Sequence, residues 1–326
     1  MNAITTVTQT TQALPLDQNP AMVYLAGLKP SGRYTQGQAL NQVAQLLGIP
    51  ETRNEAGHVV TFLICPWSSL RYQHVAAIRS QLEEKYKPAT VNKALAAVRG
   101  VLFAAKHLKQ ISAEDYQDAR EVKGITNHIL PAGRELGAGE ISALMATCEN
   151  DLTPAGARDA AILAVAYSAG LRRQELAGLE LADYDTTTGK LIVRHGKGGK
   201  ERTAYLVNGA AQAMKDWLSL RGSQEGALFQ PINKGGIILR RKMTPQTIYN
   251  LFSKRAHEAG VKSFSPHDLR RTFVSDLLDA GADISTISKM AGHASVTTTA
   301  RYDRRPEAAK QKAAQLLHIP YRGRLT

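Results

Sequence analysis

The chain has 326 residues, carries a net charge of +13 and is 43% hydrophobic. That length buries one large core or two smaller ones, and that charge with that hydrophobic share points to a folded protein with a polyanionic partner and not to a disordered basic tail. Its two cysteines, Cys65 and Cys148, stand far apart without Cys-x-x-Cys spacing, which argues against a zinc site and against a disulfide framework.

No apolar run is long enough to span a bilayer, and the polar start Met-Asn-Ala-Ile-Thr-Thr lacks the charged and apolar regions of a signal peptide. The expectation is a cytoplasmic protein without membrane partners, with residues 1–15 as a flexible arm. Residues 16–120 read as all-helical. Leu40, Val43, Leu46 and Leu47 recur at helical spacing, and so, over a longer run, do Trp67, Leu70, His74, Ala77, Ile78 and Leu82. Pro88 marks a helix start ahead of Val91, Leu95, Val98, Leu102 and Phe103, and Ser112-Ala-Glu-Asp115 has capping-box spacing. Arg71, Arg79, Lys87, Lys93 and Arg99 lie among these helices, with Lys85, Lys106 and Lys109 nearby. Any one of them could belong to a solvated helix face; as a group they are better explained by phosphate contacts.

Residues 121–138 contain glycine and proline with little periodicity and read as a linker. Residues 139–326 form a second domain with a different pattern. Ile141, Leu144 and Met145 mark a short amphipathic helix, and Pro154 to Ala169 a mostly buried one that Gly170 stops. Residues 190–207 hold two β-rich runs around Gly-Lys-Gly-Gly-Lys, predicting a hairpin with a flexible cationic tip bearing Lys197 and Lys200. Pro266 opens a further helix lined by Leu269, Phe273, Leu277 and Leu278, and another runs from about Asp283 to Ala291. The fold class is therefore mainly α with a small β-sheet: a helical N-terminal domain followed by an α+β domain.

The chemistry-bearing residues concentrate in the second domain. His267 and Arg270, three apart on one helix, emerge side by side and can share a phosphate while Leu269 and Phe273 anchor the other face. Arg172, just past the Gly170 stop, can grip two non-bridging oxygens, with Glu175 three residues on to orient it; Arg173 competes for that role. A lysine on the hairpin tip can reach a leaving oxygen. Tyr302 follows His293 by nine residues across a polar stretch. No cluster of two or three carboxylates of the kind a metal-dependent nuclease or transposase needs is visible.

Arg172 in Gly-Leu-Arg-x-x-Glu-Leu, Lys197 in Gly-Lys-Gly-Gly-Lys-Glu-Arg, His267-x-x-Arg270, Gly-His293 and Tyr302 resemble, in order and spacing, the tyrosine recombinases of phage integrase and Xer type. The resemblance covers residue 139 to the end, and the helical domain before it looks like that family's SAM-like core-binding domain. It implies that Tyr302 attacks a scissile DNA phosphate to form a 3′-phosphotyrosyl link. Arg172 and Arg270 would hold the non-bridging oxygens, Lys197 would protonate the leaving 5′-oxygen, His267 would assist proton transfer, and His293 would bond the phosphate. Glu175 would support them, and Lys200 and Arg202 would join the DNA-binding set. Neither ATP, a metal nor another cofactor is implied. The implied partner is double-stranded DNA with short inverted-repeat core sites, together with possible accessory proteins. Four protomers would assemble through exchange of a C-terminal helix at about 306–319 and proceed through a Holliday junction. Two rivals share much of this pattern: a type IB topoisomerase-like enzyme, and a catalytically silent DNA-binding regulator.

Overall fold

A computed structural model describes residues 14–126, 133–194 and 201–303, together with Gln311, Ala314, Leu317 and Pro320. The chain divides into two compact units, residues 1–129 and 130–326. Among the described residues no helix is long and apolar enough to cross a membrane.

The first unit holds α1 (Pro20–Ala26), α2 (Pro30–Leu46), α3 (Tyr72–Lys85), α4 (Pro88–His107) and α5 (Ala113–Glu121). Proline opens α1, α2 and α4, where its missing N–H costs nothing. The Asn19 side chain caps α1 by accepting from the Ala21 and Met22 N–H groups, and the Ser112 hydroxyl caps α5 by accepting from Asp115 N–H. Helix α4 is central: Val91, Leu95, Val98 and Leu102 are buried against α1, α2 and α3. Two expectations need correction. Phe103 turns outward, 50% exposed, against His107 and Tyr116, because it lies off the buried stripe of α4. The run from Trp67 to Leu82 is not one helix. Trp67–Ser69 is a 3₁₀ turn, and α3 starts at Tyr72 because Arg71 is extended and its N–H donates to His74 Nδ1 at 3.0 Å.

The cationic residues of this unit are partly occupied within it. Arg71 bonds the carbonyls of Ser68 and Leu70 and pairs with Asp115, while Arg79 pairs with Glu83 and donates to the Lys123 carbonyl. Arg99 donates to the Val122 carbonyl. Lys87 is exposed and Lys93 half-buried. Asn92 grips the Ile125 backbone from both sides, giving and receiving a 2.8 Å bond.

The second unit runs through α6 (Ala138–Asn150), α7 (Pro154–Ser168), α8 (Arg173–Gly178), β1 (Lys190–Val193), β2 (Arg202–Tyr205), α9 (Asn208–Arg221), α10 (Pro245–Glu258), α11 (Pro266–Asp279), α12 (Ile284–Ala291) and α13 (Val296–Ala300). Alanine-rich α7 lies in the middle, buried along most of its length and packed against α6, α9 and α11. Strands β1 and β2 pair antiparallel, with Lys190 opposite Tyr205 and Val193 opposite Arg202. The hairpin tip with Lys197 and Lys200, and most of the segment expected as a helix at 306–319, lie outside the described residues. Gly170 takes the left-handed conformation (φ 57°), and a Cβ there would meet Phe273 of α11 at 2.5 Å. Both backbone and packing therefore demand glycine at this stop.

A buried ion network joins α7 to α10. Arg255, 2% exposed, donates to Asp159 at 2.8 Å, to Asp151 at 2.6 Å and to Glu258 at 3.0 Å, and Arg158 pairs with Asp159 at 2.7 Å. Burial pushes the Asp159 carboxyl upward, opposed by Arg158 and then Arg255. Removing Arg255 leaves the buried Asp159 carboxylate (2% exposed) with Arg158 alone of its two arginines. Arg255→Met is therefore expected to destabilise the unit by about 3–5 kcal/mol, read as a drop in the urea midpoint. An unchanged midpoint would mean that the network contributes nothing to stability.

Candidate active site

Four elements bring the functional side chains together. Arg172 is extended (φ −75°, ψ 151°) and caps α8, so its side chain leaves the chain just after the Gly170 turn. Its backbone N–H and its guanidinium both donate to Glu175, each at 2.8 Å, and Nη2 reaches the Gly292 carbonyl at 3.3 Å. Glu175 is buried. It also receives a two-pronged bond from Arg202, at 3.0 and 2.6 Å. Burial alone would raise the Glu175 carboxyl, but Arg202 and the Arg172 N–H hold it below the usual carboxylate range.

The expectation of Arg202 at a DNA surface is corrected by this arrangement. Its side chain is 8% exposed, its fork is spent on Glu175, and Nε donates to the Met290 carbonyl at 3.0 Å. Arg202 props up Glu175, which in turn aims Arg172. Nothing in the local sequence marks Arg202 as different from its neighbours on the hairpin; its position opposite Val193 is what turns it inward.

Helix α11 supplies His267 and Arg270. The Ser265–Asp268 capping box fixes its first turn: Asp268 Oδ2 accepts from the Ser265 N–H and hydroxyl, both at 2.8 Å. Arg270 is 3% exposed, and Nη1 donates to the Gly170 carbonyl at 2.6 Å. Its Nη2 is buried and finds no hydrogen-bond partner among the described residues. Burial first, and then the nearby charge of Arg172, push its pKa down to about 9. The group stays charged at neutral pH, in a site that would welcome an anion. His267 stands exposed at the mouth of a cleft of about 370 Å³ that Arg172, Arg173 and Arg270 also line. Partial loss of hydration, and then Arg270 and Arg271, disfavour its protonated form.

His293 follows Gly292, the left-handed stop of α12 (φ 63°). Its Nδ1 lies 2.8 Å from Thr299 Oγ1, a fully buried hydroxyl on α13. Burial, followed by the charges of Arg270 and Arg172, press its pKa down to about 4. The ring is neutral at pH 7 and, with Nδ1 engaged by the hydroxyl, can offer Nε2 to a ligand. The sign for stability follows from linkage. Between about 6.5 and 4 the unfolded chain binds a proton at this position that the folded chain refuses, so stability falls as the pH drops through that window. His293→Gln is expected to flatten the window by about 1–3 kcal/mol in urea unfolding at successive pH values. An unchanged slope would show that another group carries it.

Tyr302 ends the sequence of site elements. The polar stretch before it forms the short helix α13, capped by Ser295. The Tyr302 ring is half-buried on the apolar cluster of Phe273, Val274, Leu278, Ile287 and Ala291, near-parallel to His293 at 6.4 Å between centroids. The structure thus brings Arg172, His267, Arg270, His293 and Tyr302 into one region of the same unit. Among the described residues no group of three or more His, Cys, Asp or Glu is placed to hold a metal ion.

Residues 134–308 match the phage integrase family. The tyrosine recombinase XerC of Corynebacterium efficiens is 33% identical over 224 residues, covering 68% of this chain and 69% of that protein. XerC of Serratia marcescens is 29% identical over 300 residues, covering 90% and 92%. The match to Pelobacter propionicus XerC is 39% identical over 148 residues, and there the chain spans about half (47%) of the relative's length. Among solved structures, the Tn1549 transposon integrase in complex with transposon right end DNA superposes with a TM-score of 0.66 at 16% identity, covering 93% of this chain and 99% of that one. XerH bound to a palindromic difH substrate gives 0.62 at 18% identity, covering 94% and 90%. At such identities the likeness is one of fold. The chain belongs to the phage integrase family. Within it, it is a tyrosine recombinase of the Xer and integrase type.

Proposed function

We propose that the protein is a site-specific DNA recombinase that cleaves and rejoins DNA through a 3′-phosphotyrosyl intermediate. The observation that carries this reading is the buried Arg270 guanidinium, whose Nη2 has no hydrogen-bond partner among the described residues, beside a second guanidinium oriented by Glu175. Two such groups in a partly dehydrated cleft match the non-bridging oxygens of a phosphodiester. Tyr302 Oη attacks phosphorus, the bond to the 5′-oxygen breaks, and the phenol's proton passes to solvent by way of the His267 imidazole. Lys197 on the hairpin tip gives a proton to the leaving oxygen, His267 assists proton transfer, and His293 donates Nε2–H to the phosphate. Rejoining reverses these steps with the 5′-hydroxyl of the partner strand. The bond energy is conserved in the tyrosyl ester, so neither ATP nor a metal enters.

The DNA partner is a duplex with short inverted-repeat core sites, contacted by the catalytic unit and by the helical residues 16–120 as a core-binding domain, with residues 1–15 as an arm. Lys87, Lys93, Arg71, Arg79, Arg99 and Lys200 are its phosphate contacts. Related structures include recombinases bound to DNA core sites, among them a lambda integrase dimer on a COC′ core site. Four protomers exchange strands through a Holliday junction in the cytoplasm, assembled by the segment at 306–319. An apolar cleft of about 680 Å³ between α6, α7 and α9, lined by Leu144, Leu163 and Leu220, supports an apolar docking segment from a neighbour. The test is a nicked suicide duplex incubated with the protein in EDTA. A covalent protein–DNA adduct is expected, followed by exchange between two sites on a plasmid. Relaxation without exchange would favour a topoisomerase, and binding without any adduct a silent regulator.

A further inference from the structure

The stretch by which the linker enters the second unit, residues 133–136, is bonded to α11 through the immediate neighbours of the two site residues on that helix. The Arg134 N–H donates to Asp268 Oδ1 at 2.9 Å, Arg271 Nη1 donates to the Gly133 carbonyl at 2.9 Å, and the Leu136 N–H donates to Thr272 Oγ1 at 2.9 Å. Asp268 follows His267, and Arg271 follows Arg270. Gly133 has a φ of 127°, and a Cβ there would lie 2.3 Å from Asp268 Oδ1. Conformation and space together require glycine at this seam.

Arg271 is 4% exposed, yet it does not line the cleft that receives the phosphate in the reading above. Its guanidinium carbon lies 5.5 Å from the centroid of the Tyr302 ring, within the distance at which a cation is attracted to a π face. The other support of that ring is the aliphatic and aromatic cluster on α11 and α12, whose dispersion contacts have little directional preference. A guanidinium held at one end by a backbone carbonyl and facing the ring at the other supplies the direction that such packing lacks. Lysine, a point charge on a flexible stem, cannot reproduce a planar group that does both.

We infer that Arg271 is a positioning residue for the nucleophile: anchored on the Gly133 carbonyl, it fixes the Tyr302 ring and makes delivery of the phenol depend on how the linker end is seated on α11. The inference rests on the reading of Tyr302 as nucleophile. The role proposed here runs through Tyr302, so it predicts a loss in the cleavage step without a loss of DNA affinity.

The test uses the full-length protein with 3-fluorotyrosine placed at position 302, comparing wild type with Arg271→Met, Arg271→Lys and Gly133→Ala. DNA affinity and melting temperature are read beside the ¹⁹F resonance and the single-turnover rate of adduct formation on a nicked duplex. Arg271→Met and Gly133→Ala are expected to bind DNA as wild type does, to shift and broaden the resonance, and to form adduct about 10- to 100-fold more slowly, the scale set by misplacing a reacting group. Arg271→Lys is expected to fall between them and wild type, and it decides the matter should the methionine variant fail to fold. Wild-type rates in the folded variants, or an unmoved resonance, would overturn the role of Arg271 and leave the nucleophile assignment standing. A wild-type protein that binds its duplex but forms no adduct would overturn that assignment, and the inference with it.

Discussion

Tyr302→Phe is expected to bind its DNA as the wild-type protein does and to yield no covalent adduct. The substitution removes one oxygen and leaves the ring on the Phe273–Ile287 cluster, parallel to His293 and under Arg271. Arg172, His267, Arg270 and His293 keep their places, because among the described residues none of the hydrogen bonds that orient them runs through the phenol. Only the attacking atom is lost. Removing the nucleophile from such a constellation costs about 10⁴-fold or more in rate, so adduct on a denaturing gel should vanish while the gel shift of the native complex persists. Adduct surviving in this variant would mean that another residue attacks.

Arg270→Met should move activity and stability in opposite directions. In the folded protein Arg270 is an expensive residue, buried, unpaired at Nη2 and pressed by the charge of Arg172. A flexible apolar chain of similar length removes that cost and forfeits one bond to the Gly170 carbonyl. Replacing a strained buried charge by an apolar side chain is neutral or stabilising by about 1–4 kcal/mol. Cleavage, in contrast, should slow by about 10²- to 10³-fold, the loss that follows removal of a donor aimed at developing negative charge. The measurements are the urea midpoint and the single-turnover cleavage rate. A large fall in stability would show that Arg270 serves the fold first. The two variants together separate a missing nucleophile from a missing charge clamp, since Tyr302→Phe should leave stability nearly unchanged.

Much of the architecture was readable before any coordinates. Prolines 88, 154 and 266 announced helix starts, Gly170 and Gly292 announced stops, and two β-rich runs around Gly-Lys-Gly-Gly-Lys announced the paired strands within 190–207, because each signal is local: a missing donor, a positive φ, a glycine-rich turn between β-formers. Misreadings arose where side-chain contacts overrode the period. Apolar spacing continued across Leu70 and Arg71, yet the helix broke there because a side-chain nitrogen of His74 took the Arg71 N–H. Phe103 satisfied the apolar pattern but lay off the buried stripe of α4, where it met His107 and Tyr116 instead of the core.

The residues of the candidate site were legible as types and spacings: a guanidinium after a glycine stop, a His–Arg pair three apart, a tyrosine nine residues past a histidine. By itself the sequence determined which chemistry the chain can hold, since ionisable groups and the backbone rules that place them are written in neighbouring residues. Only the tertiary structure decided which of the many arginines are spent inside the protein and which are left to act. Arg202 was expected at a DNA surface, yet it, like Arg255 and Arg271, is buried against a partner 27 to 138 positions away in the chain. Arg270, on the same helix as Arg271, is left with an unsatisfied donor. Desolvation and pairing depend on what packs across from a side chain, and no local pattern encodes that.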